Sequence, residues 1–394
     1  MAEPDPFDIR EDAEVTPAGA QRLRNGHLWI YAGDIVRPPS LPAPIVKVCD
    51  GARNTLGYAF YSSDSRIRLR MLSKDAHPPD AAFLKHRLKL SISRRGMHFP
   101  EEGARRLVFG EADLLPSVVV DRYADYVVLQ TLSRGADSLK GMLVDVLRDL
   151  INPKGILERN DVKARLLEGL PEHSGILWGC VPQQVRILED GIQFWVDLHR
   201  GQKTGFFLDQ SENRIAAARH SFGHCLDCFT NTGAFALHFA RACDSVVGVD
   251  VSDDSLALAR RNADLNGIRN ADFRKGNVFD ILRDQERAGK RFDTICLDPP
   301  AFAKNRSALP AARGGYKEIN LRAMKLLQPE GILVTSSCSY HLPEGDFFVL
   351  LGQASRDAHR PIQVLERRTQ SSDHPILAGM PETHYLKCFI LRVL

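Results

Sequence analysis

The 394-residue chain has no apolar run that approaches the roughly 20 residues a helix needs to cross a bilayer. Its first residues, 1–12, are acidic and contain prolines, unlike a secretory signal peptide. The net charge of +3 is too small to indicate a nucleic-acid partner by itself. Cys225 and Cys228 have the spacing of a metal or redox pair, but no second pair accompanies them. The sequence therefore predicts a cytoplasmic protein with reduced thiols, no membrane attachment and no metal.

The length of the chain and its pattern of elements predict three domains. Residues 1–75 contain short strands typical of a small β-barrel. Pro78-Pro79-Asp80 has the composition of a linker and precedes a mixed α/β region at 80–190. Residues 191–394 alternate strands with helices, which predicts a doubly wound, mostly parallel sheet of the Rossmann-like α/β class.

One strand of the last domain, at 225–229, is followed by a turn with a single glycine, Gly233, and then by a helix. The next strand ends in Asp250, where a carboxylate can accept hydrogen bonds from a ribose diol. Turns that bind the pyrophosphate of a dinucleotide need several glycines, so this turn is poorly suited to one. The motif alone leaves open an ordinary βαβ unit without a cofactor.

Polar residues follow four strands of the same domain. The carboxyl ends of these strands, where ligands bind in parallel sheets, carry Asp250, Asn277, Asp298 and Cys338. Two prolines stiffen the chain after Asp298, whose carboxylate can accept from the exocyclic amine of a base. Cys338 leaves its strand among three serines and is a candidate nucleophile, if it has thiolate character. The alternative is a small buried hydrophobe, the role that we predict for Cys296 inside an apolar strand.

Three arginines, Arg66, Arg68 and Arg70, alternate with apolar residues near the end of the first domain. A period of two predicts that they share one face of a strand, where they suit the phosphates of an RNA backbone. A solvated face with carboxylate partners is the alternative. Together with the segment at 26–31, Gly-His-Leu-Trp-Ile-Tyr, this row resembles a PUA domain, a small β-barrel found in RNA-modifying enzymes.

The turn at 229–233 resembles the first motif of class I S-adenosylmethionine-dependent methyltransferases. From about residue 20 onward, the chain resembles the bacterial large-subunit ribosomal RNA cytosine-C5 methyltransferases with an N-terminal PUA domain. The segments that carry this resemblance are Lys203 to Gln210, Leu226 to Gly233, Asp298 to Phe302, Arg313 to Asn320, Ser337 to Ser339, Asp373 to Pro375 and Tyr385 to Lys387.

The resemblance implies S-adenosylmethionine as the cofactor and Cys338 as the nucleophile. The base that removes a proton stays open, and Asp298 is one candidate for it. The cofactor-binding residues that it implies are Lys203, Thr204, Phe206, Asp209, Phe229, Thr232, Gly233, Asp250, Asn277 and Asp298. Two positions depart from the family pattern. Asn231 stands where the family usually has Tyr, and Asn277 stands where it often has Asp. The Asn277 amide oxygen can still accept from an adenine amine, but it carries no negative charge.

The sequence therefore predicts an S-adenosylmethionine-dependent methyltransferase that acts on carbon 5 of a cytosine in large-subunit ribosomal RNA. Two alternatives stay open. One is methylation of a base amine or of guanine N7 without covalent catalysis. The other is a ribosome-assembly factor that binds RNA without turnover. The sequence does not determine the target nucleotide, the form of the RNA substrate, the proton-abstracting base or the oligomeric state, a homodimer included.

Overall fold

The structure, a computed structural model, describes residues 6–41, 43–96, 102–303 and 305–394. Within these ranges no helix is both long and apolar enough to cross a membrane. The contacts of the chain divide it into two compact units. The first unit comprises Met1–Ile187, Val196–Leu208 and Ser372–Thr383, and the second comprises Leu188–Trp195, Asp209–Ser371 and His384–Leu394.

The first unit begins with a six-stranded sheet. Its strands are β1 Asp12–Val15, β2 Trp29–Tyr31, β3 Ile35–Arg37, β4 Ile45–Cys49, β5 Thr55–Tyr61 and β6 Ile67–Ser73, in the order β2-β6-β5-β4-β1-β3. A helix, α1 Pro17–Arg24, precedes β2 and reaches into the part of the chain that the sequence predicted to be all strand. The Thr16 hydroxyl accepts a hydrogen bond from the Gly19 amide at 3.1 Å, a side-chain cap that starts this helix.

A second sheet of the same unit has five strands. They are β7 Ala104–Phe109, β8 Val118–Tyr123, β9 Tyr126–Thr131, β10 Gly155–Asn160 and β11 His173–Gly179, in the order β11-β10-β9-β8-β7. The helices between them and before them are α2 Ala81–Arg94, α3 Arg134–Ser138 and α4 Lys140–Ile151. One hydrophobic core joins Tyr58 and Phe60 of β5 to Leu84 and Leu88 of α2. The boundary predicted near 76–80 therefore separates two sheets that share a core.

The row of arginines on β6 does not have uniform exposure. Arg66 is exposed and Arg68 is half-buried, whereas Arg70 retains only 7% of its accessible surface. The Arg70 guanidinium donates to both carboxylate oxygens of Glu168, at 2.8 and 3.2 Å. The same guanidinium also donates to the Ile67 carbonyl at 3.2 Å. Arg70 therefore has a structural partner, and exposed positive charge is left to Arg66 and Arg68.

The second unit contains a seven-stranded sheet. Its strands are β14 His224–Cys228, β15 Ser245–Asp250, β16 Ala271–Lys275, β17 Phe292–Leu297, β18 Leu327–Ser337, β19 Ile362–Arg368 and β20 Lys387–Val393, in the order β16-β15-β14-β17-β18-β20-β19. Its helices are α5 Ser211–His220, α6 Ala234–Phe239, α7 Asp253–Leu265, α8 Val278–Arg287, α9 Leu309–Leu326 and α10 Glu344–Ala358. Two further strands, β12 Gln184–Glu189 and β13 Ile192–Asp197, form a separate two-stranded sheet.

Strands β14 to β18 pair in parallel, and β20 runs antiparallel to β18. This confirms the predicted doubly wound, mostly parallel sheet. Strand β17 ends at Leu297, directly before Asp298. Helix α9 begins at Leu309, and Pro310 occupies its first turn, where a missing N–H leaves no unpaired group.

Candidate functional site

The turn after β14 is held closed from both sides. The Thr230 amide donates to the carbonyl of Val249 at 3.0 Å, and the Thr230 hydroxyl donates to the Asp227 carboxylate at 2.5 Å. Gly233 has a φ of 83°, and a Cβ at this position would lie 3.1 Å from Ala259 and from Phe273. A side chain at position 233 would therefore be both strained and crowded, so the turn requires this glycine.

Asp250 lies at the end of β15 and faces this turn. One carboxylate oxygen accepts from the Asn231 amide at 2.9 Å, and the other accepts from the Ser252 amide at 3.0 Å. These bonds fix the orientation of the carboxylate. An ionised carboxylate has about four lone-pair sites, so two backbone bonds leave acceptor capacity for a ligand.

Asn277 lies just beyond the end of β16, and Asp298 lies just beyond the end of β17. The exposed Asn277 side chain accepts from the Phe279 amide at 2.9 Å and thereby caps α8. Asp298 is half-buried, and one of its carboxylate oxygens accepts from the Gln210 amide group at 2.8 Å. Both predicted residues thus lie at the carboxyl edge of the sheet, and each already has a hydrogen-bond partner within this unit.

Cys338 follows the last residue of β18, and its Sγ lies 3.9 Å from the carbonyl oxygen of Pro299. The turn that carries it is fixed by Ser339. The Ser339 hydroxyl accepts from the Ala303 amide at 3.1 Å and hydrogen-bonds with the Tyr316 hydroxyl at 2.9 Å. The thiol is therefore held beside the Asp298-Pro299-Pro300 segment by bonds to two other elements.

Cys338 differs from the other cysteines of this unit in how deeply it is buried. Cys338 is half-buried, whereas the remaining cysteines of the unit, which are Cys225, Cys228, Cys243, Cys296 and Cys388, are buried. Burial raises the pKa of the Cys296 thiol well above its ordinary value and raises the pKa of Cys388 to about 12. A group that stays a neutral thiol and has no access to solvent is a poor nucleophile. The prediction that Cys296 serves packing agrees with its complete burial.

An aromatic group borders the same edge of the sheet. Phe302 lies 4.6 Å from Tyr316, 5.9 Å from Phe279 and 6.4 Å from Phe229, measured between ring centroids. The rings of Phe229, Phe279 and Phe302 are half-buried. Partly exposed aromatic faces beside hydrogen-bonding groups can stack on a flat heterocycle.

The structure brings one set of predicted residues together at this edge, and the other predicted residues are divided between the two units. The strand ends and the first turn carry Phe229, Thr232, Gly233, Asp250, Asn277, Asp298 and Cys338. Lys203, Thr204 and Phe206 belong to the first unit, together with Arg66, Arg68 and Arg70. Asp209 belongs to the second unit, where its carboxylate accepts from the Tyr385 hydroxyl at 2.6 Å.

Within the first unit, Thr204 is buried in a chain of hydrogen bonds. Its hydroxyl donates to Asp121 at 2.6 Å and lies 2.9 Å from the Tyr123 hydroxyl, which also accepts from the Phe206 amide. Burial raises the pKa of Tyr123 above its usual value, so this hydroxyl keeps its proton and can donate. These bonds anchor the loop at 203–206, and a role of its residues in cofactor binding stays a prediction.

Sequence reasoning missed residues whose neighbours are remote in the chain. Gln210 was quoted within a motif, but its bond to Asp298 joins positions 88 residues apart. Lys387 was likewise part of a motif, and the structure shows its ammonium donating to the Ser339 carbonyl at 2.7 Å, next to Cys338. Motif membership was the only signal for either residue, because their partners follow from the order of strands in the sheet.

Comparisons with known proteins agree with this architecture. A family model for a PUA-like domain matches residues 13–74, and a model for a methyltransferase domain matches residues 219–372. A protein of Tolumonas auensis named ribosomal RNA large subunit methyltransferase I is 40% identical over 383 residues, which cover 94% of this chain and 96% of that protein. A protein of the same name from Aeromonas hydrophila is 38% identical over 381 residues, which cover 94% of this chain and 96% of that protein.

Among solved structures, a Streptococcus mutans protein assigned as a SAM-dependent methyltransferase superposes with a TM-score of 0.83. A protein assigned as a methyltransferase and crystallised with SAH gives 0.84. Each match covers 97% of this chain and 100% of the other, at 22% identity. At this identity the two structures show that the fold is shared.

The buried Asp227 carboxyl beneath the turn predicts a pH dependence of stability. Its pKa is raised from 3.8 to about 7. Burial is the largest cause of the raised pKa; the hydrogen bond from the Thr230 hydroxyl opposes it, and the nearby Asp298 adds to it. Between these two pH values the folded protein keeps a proton that the unfolded chain has lost. The free energy of unfolding therefore falls as pH rises through this window.

Asp227→Asn removes this titration. We expect the free energy of unfolding of the variant, relative to the wild type, to increase as pH rises from 3.8 to about 7 and to level off outside that window. Urea denaturation at a series of pH values measures it, with exposed Asp272→Asn as the control. A difference that does not change with pH would contradict the assignment.

Proposed function

The chain belongs to the ribosomal RNA large subunit methyltransferase I family, and we propose that it methylates carbon 5 of a cytosine in large-subunit ribosomal RNA through a covalent adduct with Cys338. It is an S-adenosylmethionine-dependent RNA methyltransferase, as its relatives and its methyltransferase domain indicate. The observation that carries the proposal of a covalent cysteine adduct is the half-buried thiol of Cys338, fixed beside Pro299 at the end of β18. Methylation of an exocyclic amine needs no nucleophilic thiol.

The residues at the edge of the sheet fit S-adenosylmethionine, which has a ribose and an amino acid but no pyrophosphate. Asp250 retains acceptor capacity for the ribose diol, and Gly233 allows a close approach to the turn. Asn277 and the half-buried rings of Phe229 and Phe279 suit the adenine. When bound, the cofactor supplies a methyl group on a sulfonium, which is an electrophile toward a carbon nucleophile.

Carbon 5 of cytosine is a weak nucleophile, and Cys338 is proposed to activate it. The thiolate uses a sulfur lone pair to bond to carbon 6, and the electrons of the carbon 5–carbon 6 double bond shift so that carbon 5 gains enamine character. After carbon 5 has been methylated, a base removes its proton. The electrons of that C–H bond restore the double bond and expel the Cys338 thiolate. Asp298, beside Pro299, is the proposed candidate for that base.

RNA binding is proposed for the PUA-like domain. The exposed Arg66 and half-buried Arg68 offer positive charge at the start of β6, which suits phosphates. Arg70 has only a structural part in this proposal, since its guanidinium is paired with Glu168.

The covalent step predicts a trapped complex. With 5-fluorocytidine at the target position, carbon 5 carries fluorine, which does not leave as a cation, so elimination is blocked. Wild-type protein with S-adenosylmethionine should then accumulate a denaturation-resistant adduct with the RNA, visible by gel shift and located by peptide mapping. Cys338→Ala should form no adduct and lose turnover while it still binds the cofactor.

The matched control for this experiment is Cys296→Ala, which removes a fully buried thiol from β17. This variant should still form the adduct, and only a loss of folded protein should reduce its amount. Turnover of Cys338→Ala near the wild-type rate would reject the nucleophile. Methylation of guanine N7 or of a base amine would then be the better assignment. Cofactor binding by the wild-type protein without any turnover would favour an assembly factor.

Cofactor binding should depend on Asp250. Loss of one charged acceptor to the ribose costs about 1.5–3 kcal/mol, or roughly ten- to a hundred-fold in affinity. Calorimetry with S-adenosylmethionine on Asp250→Ala measures this, and Asp253→Ala, which removes an exposed carboxylate from the start of α7, is the control. Equal affinities of a folded Asp250→Ala variant and the wild type would exclude the contact.

RNA affinity should depend on Arg66 and Arg68. Their joint replacement by Ala should weaken binding and reduce the slope of log affinity against log salt by about 1 to 2, because fewer counterions are released. Filter binding at several salt concentrations gives the slope. The double variant Arg269→Ala, Arg287→Ala removes two exposed arginines from the second unit and should leave the slope unchanged. An equal reduction in both double variants would indicate a general charge effect.

A further inference from the structure

Lys387 is a buried lysine beside the turn that carries Cys338. It is the first residue of β20, and its Cα is paired with that of Ser337 across the antiparallel ladder to β18. Only 3% of its accessible surface remains exposed. Lysine is rarely buried to this extent unless its charge has partners. The position of the ammonium therefore requires an explanation.

Two backbone carbonyls hold the ammonium in place. It donates to the carbonyl oxygen of Ser339 at 2.7 Å and to that of Tyr385 at 2.9 Å. The first of these bonds reaches the residue directly after Cys338. Carbonyl oxygens stabilise the protonated amine but do not neutralise its charge. A negative group at Cys338 would supply a counter-charge.

The charges around Lys387 come from several elements. Burial lowers the pKa of Lys387 to about 8, while the negative forms of Cys338 and of Glu344 at the start of α10 act to raise it. Tyr316 of α9 also faces Cys338, and burial raises the pKa of this phenol, so that it stays neutral. Asp298 adjoins Pro299, whose carbonyl is the neighbour of the thiol. Lys387 is thus the cation among these titratable groups.

We propose that the Lys387 ammonium holds Cys338 in its thiolate form and so sets the pH at which this cysteine becomes nucleophilic. Lys387 is a positioning residue in this proposal, since it acts through Cys338 and not on the substrate. The proposal adds to the proposed covalent mechanism and rests on it for its biological role. The electrostatic effect on the thiol can be measured without RNA.

The competing explanation is that Lys387 only ties the turn to β20 through its two hydrogen bonds. Charge and hydrogen bonding can be separated with three substitutions. Lys387→Met removes both, Lys387→Gln keeps a neutral hydrogen-bond donor, and Lys387→Arg keeps the charge and the donors. If the charge of Lys387 sets the reactivity of Cys338, Lys387→Gln should shift it as Lys387→Met does. If only the hydrogen bonds set it, Lys387→Gln should behave as the wild type does.

The test is the pH dependence of alkylation of Cys338 by iodoacetamide in the full-length protein. A Cys180→Ser background removes the exposed cysteine, and peptide mass spectrometry follows Cys338 separately from the buried thiols. An opposite charge within about 4–6 Å shifts a titration by about one to three pH units. We expect Lys387→Met and Lys387→Gln to move the midpoint of alkylation upward by at least about one pH unit and to slow alkylation at neutral pH about tenfold.

Lys387→Arg should retain the wild-type midpoint, and Lys325→Met, which removes an exposed lysine from α9, should leave it unchanged. Cys296 and Cys388 report on folding, because they should stay unreactive in every folded variant. If Lys387→Met does not fold, the comparison of Gln with Arg decides between charge and hydrogen bonding.

The proposal would be overturned if the midpoint of Cys338 alkylation is unchanged in both Lys387→Met and Lys387→Gln. It would also be overturned if the midpoint shifts in Lys387→Met but not in Lys387→Gln. The assay is independent of cytosine methylation. A shifted midpoint in a protein that forms no 5-fluorocytidine adduct would support the Lys387–Cys338 coupling while rejecting the covalent mechanism. An adduct together with unshifted midpoints would reject the coupling alone.

Discussion

The parallel pairing of β14 with both β15 and β17 is the constraint on which the candidate site depends. It brings the carboxyl ends of successive strands to one edge of the sheet, so that residues far apart in the chain become neighbours. The turn after β14 is then closed by a bond from Thr230 to the carbonyl of Val249 and by the bond from Asn231 to Asp250. A slip of the β14–β15 pairing would separate Asp250 from the turn that orients it, and a slip of the β14–β17 pairing would displace Asp298 from the same edge.

The same edge combines groups that burial would ordinarily penalise. Asp227 lies under the turn as a carboxyl whose pKa is raised to about 7, and Lys387 lies beside Cys338 as an ammonium whose pKa is lowered to about 8. Burial is the largest cause of both pKa shifts, and each shift disfavours the charged form of its group. Buried titratable groups of this kind occur often where chemistry is performed, although structural networks also produce them. In our proposals Lys387 serves the reaction, whereas Asp227 supports the turn.

Residues of one type receive different roles from their surroundings. Cys296 lies inside β17 and is fully buried, whereas Cys338 follows the neighbouring strand β18 and is half-buried. Arg66 and Arg70 belong to one alternating row, yet Arg70 is paired with Glu168 and Arg66 is exposed. In each pair the position along the strand decides whether the group faces a neighbouring element or solvent.

The sequence by itself determined the class of the fold and the strand ends of the second unit, because alternation, turn residues and capping residues act locally. It predicted Asp250, Asn277, Asp298 and Cys338 at one edge, since a parallel sheet aligns such positions. The tertiary structure alone decided that the two sheets of the first unit share a core, that Arg70 is paired, that Lys387 bonds to the carbonyl of Ser339 and that Gln210 bonds to Asp298. These contacts join residues remote in sequence, and the order of strands and the packing of side chains that create them have no local signature.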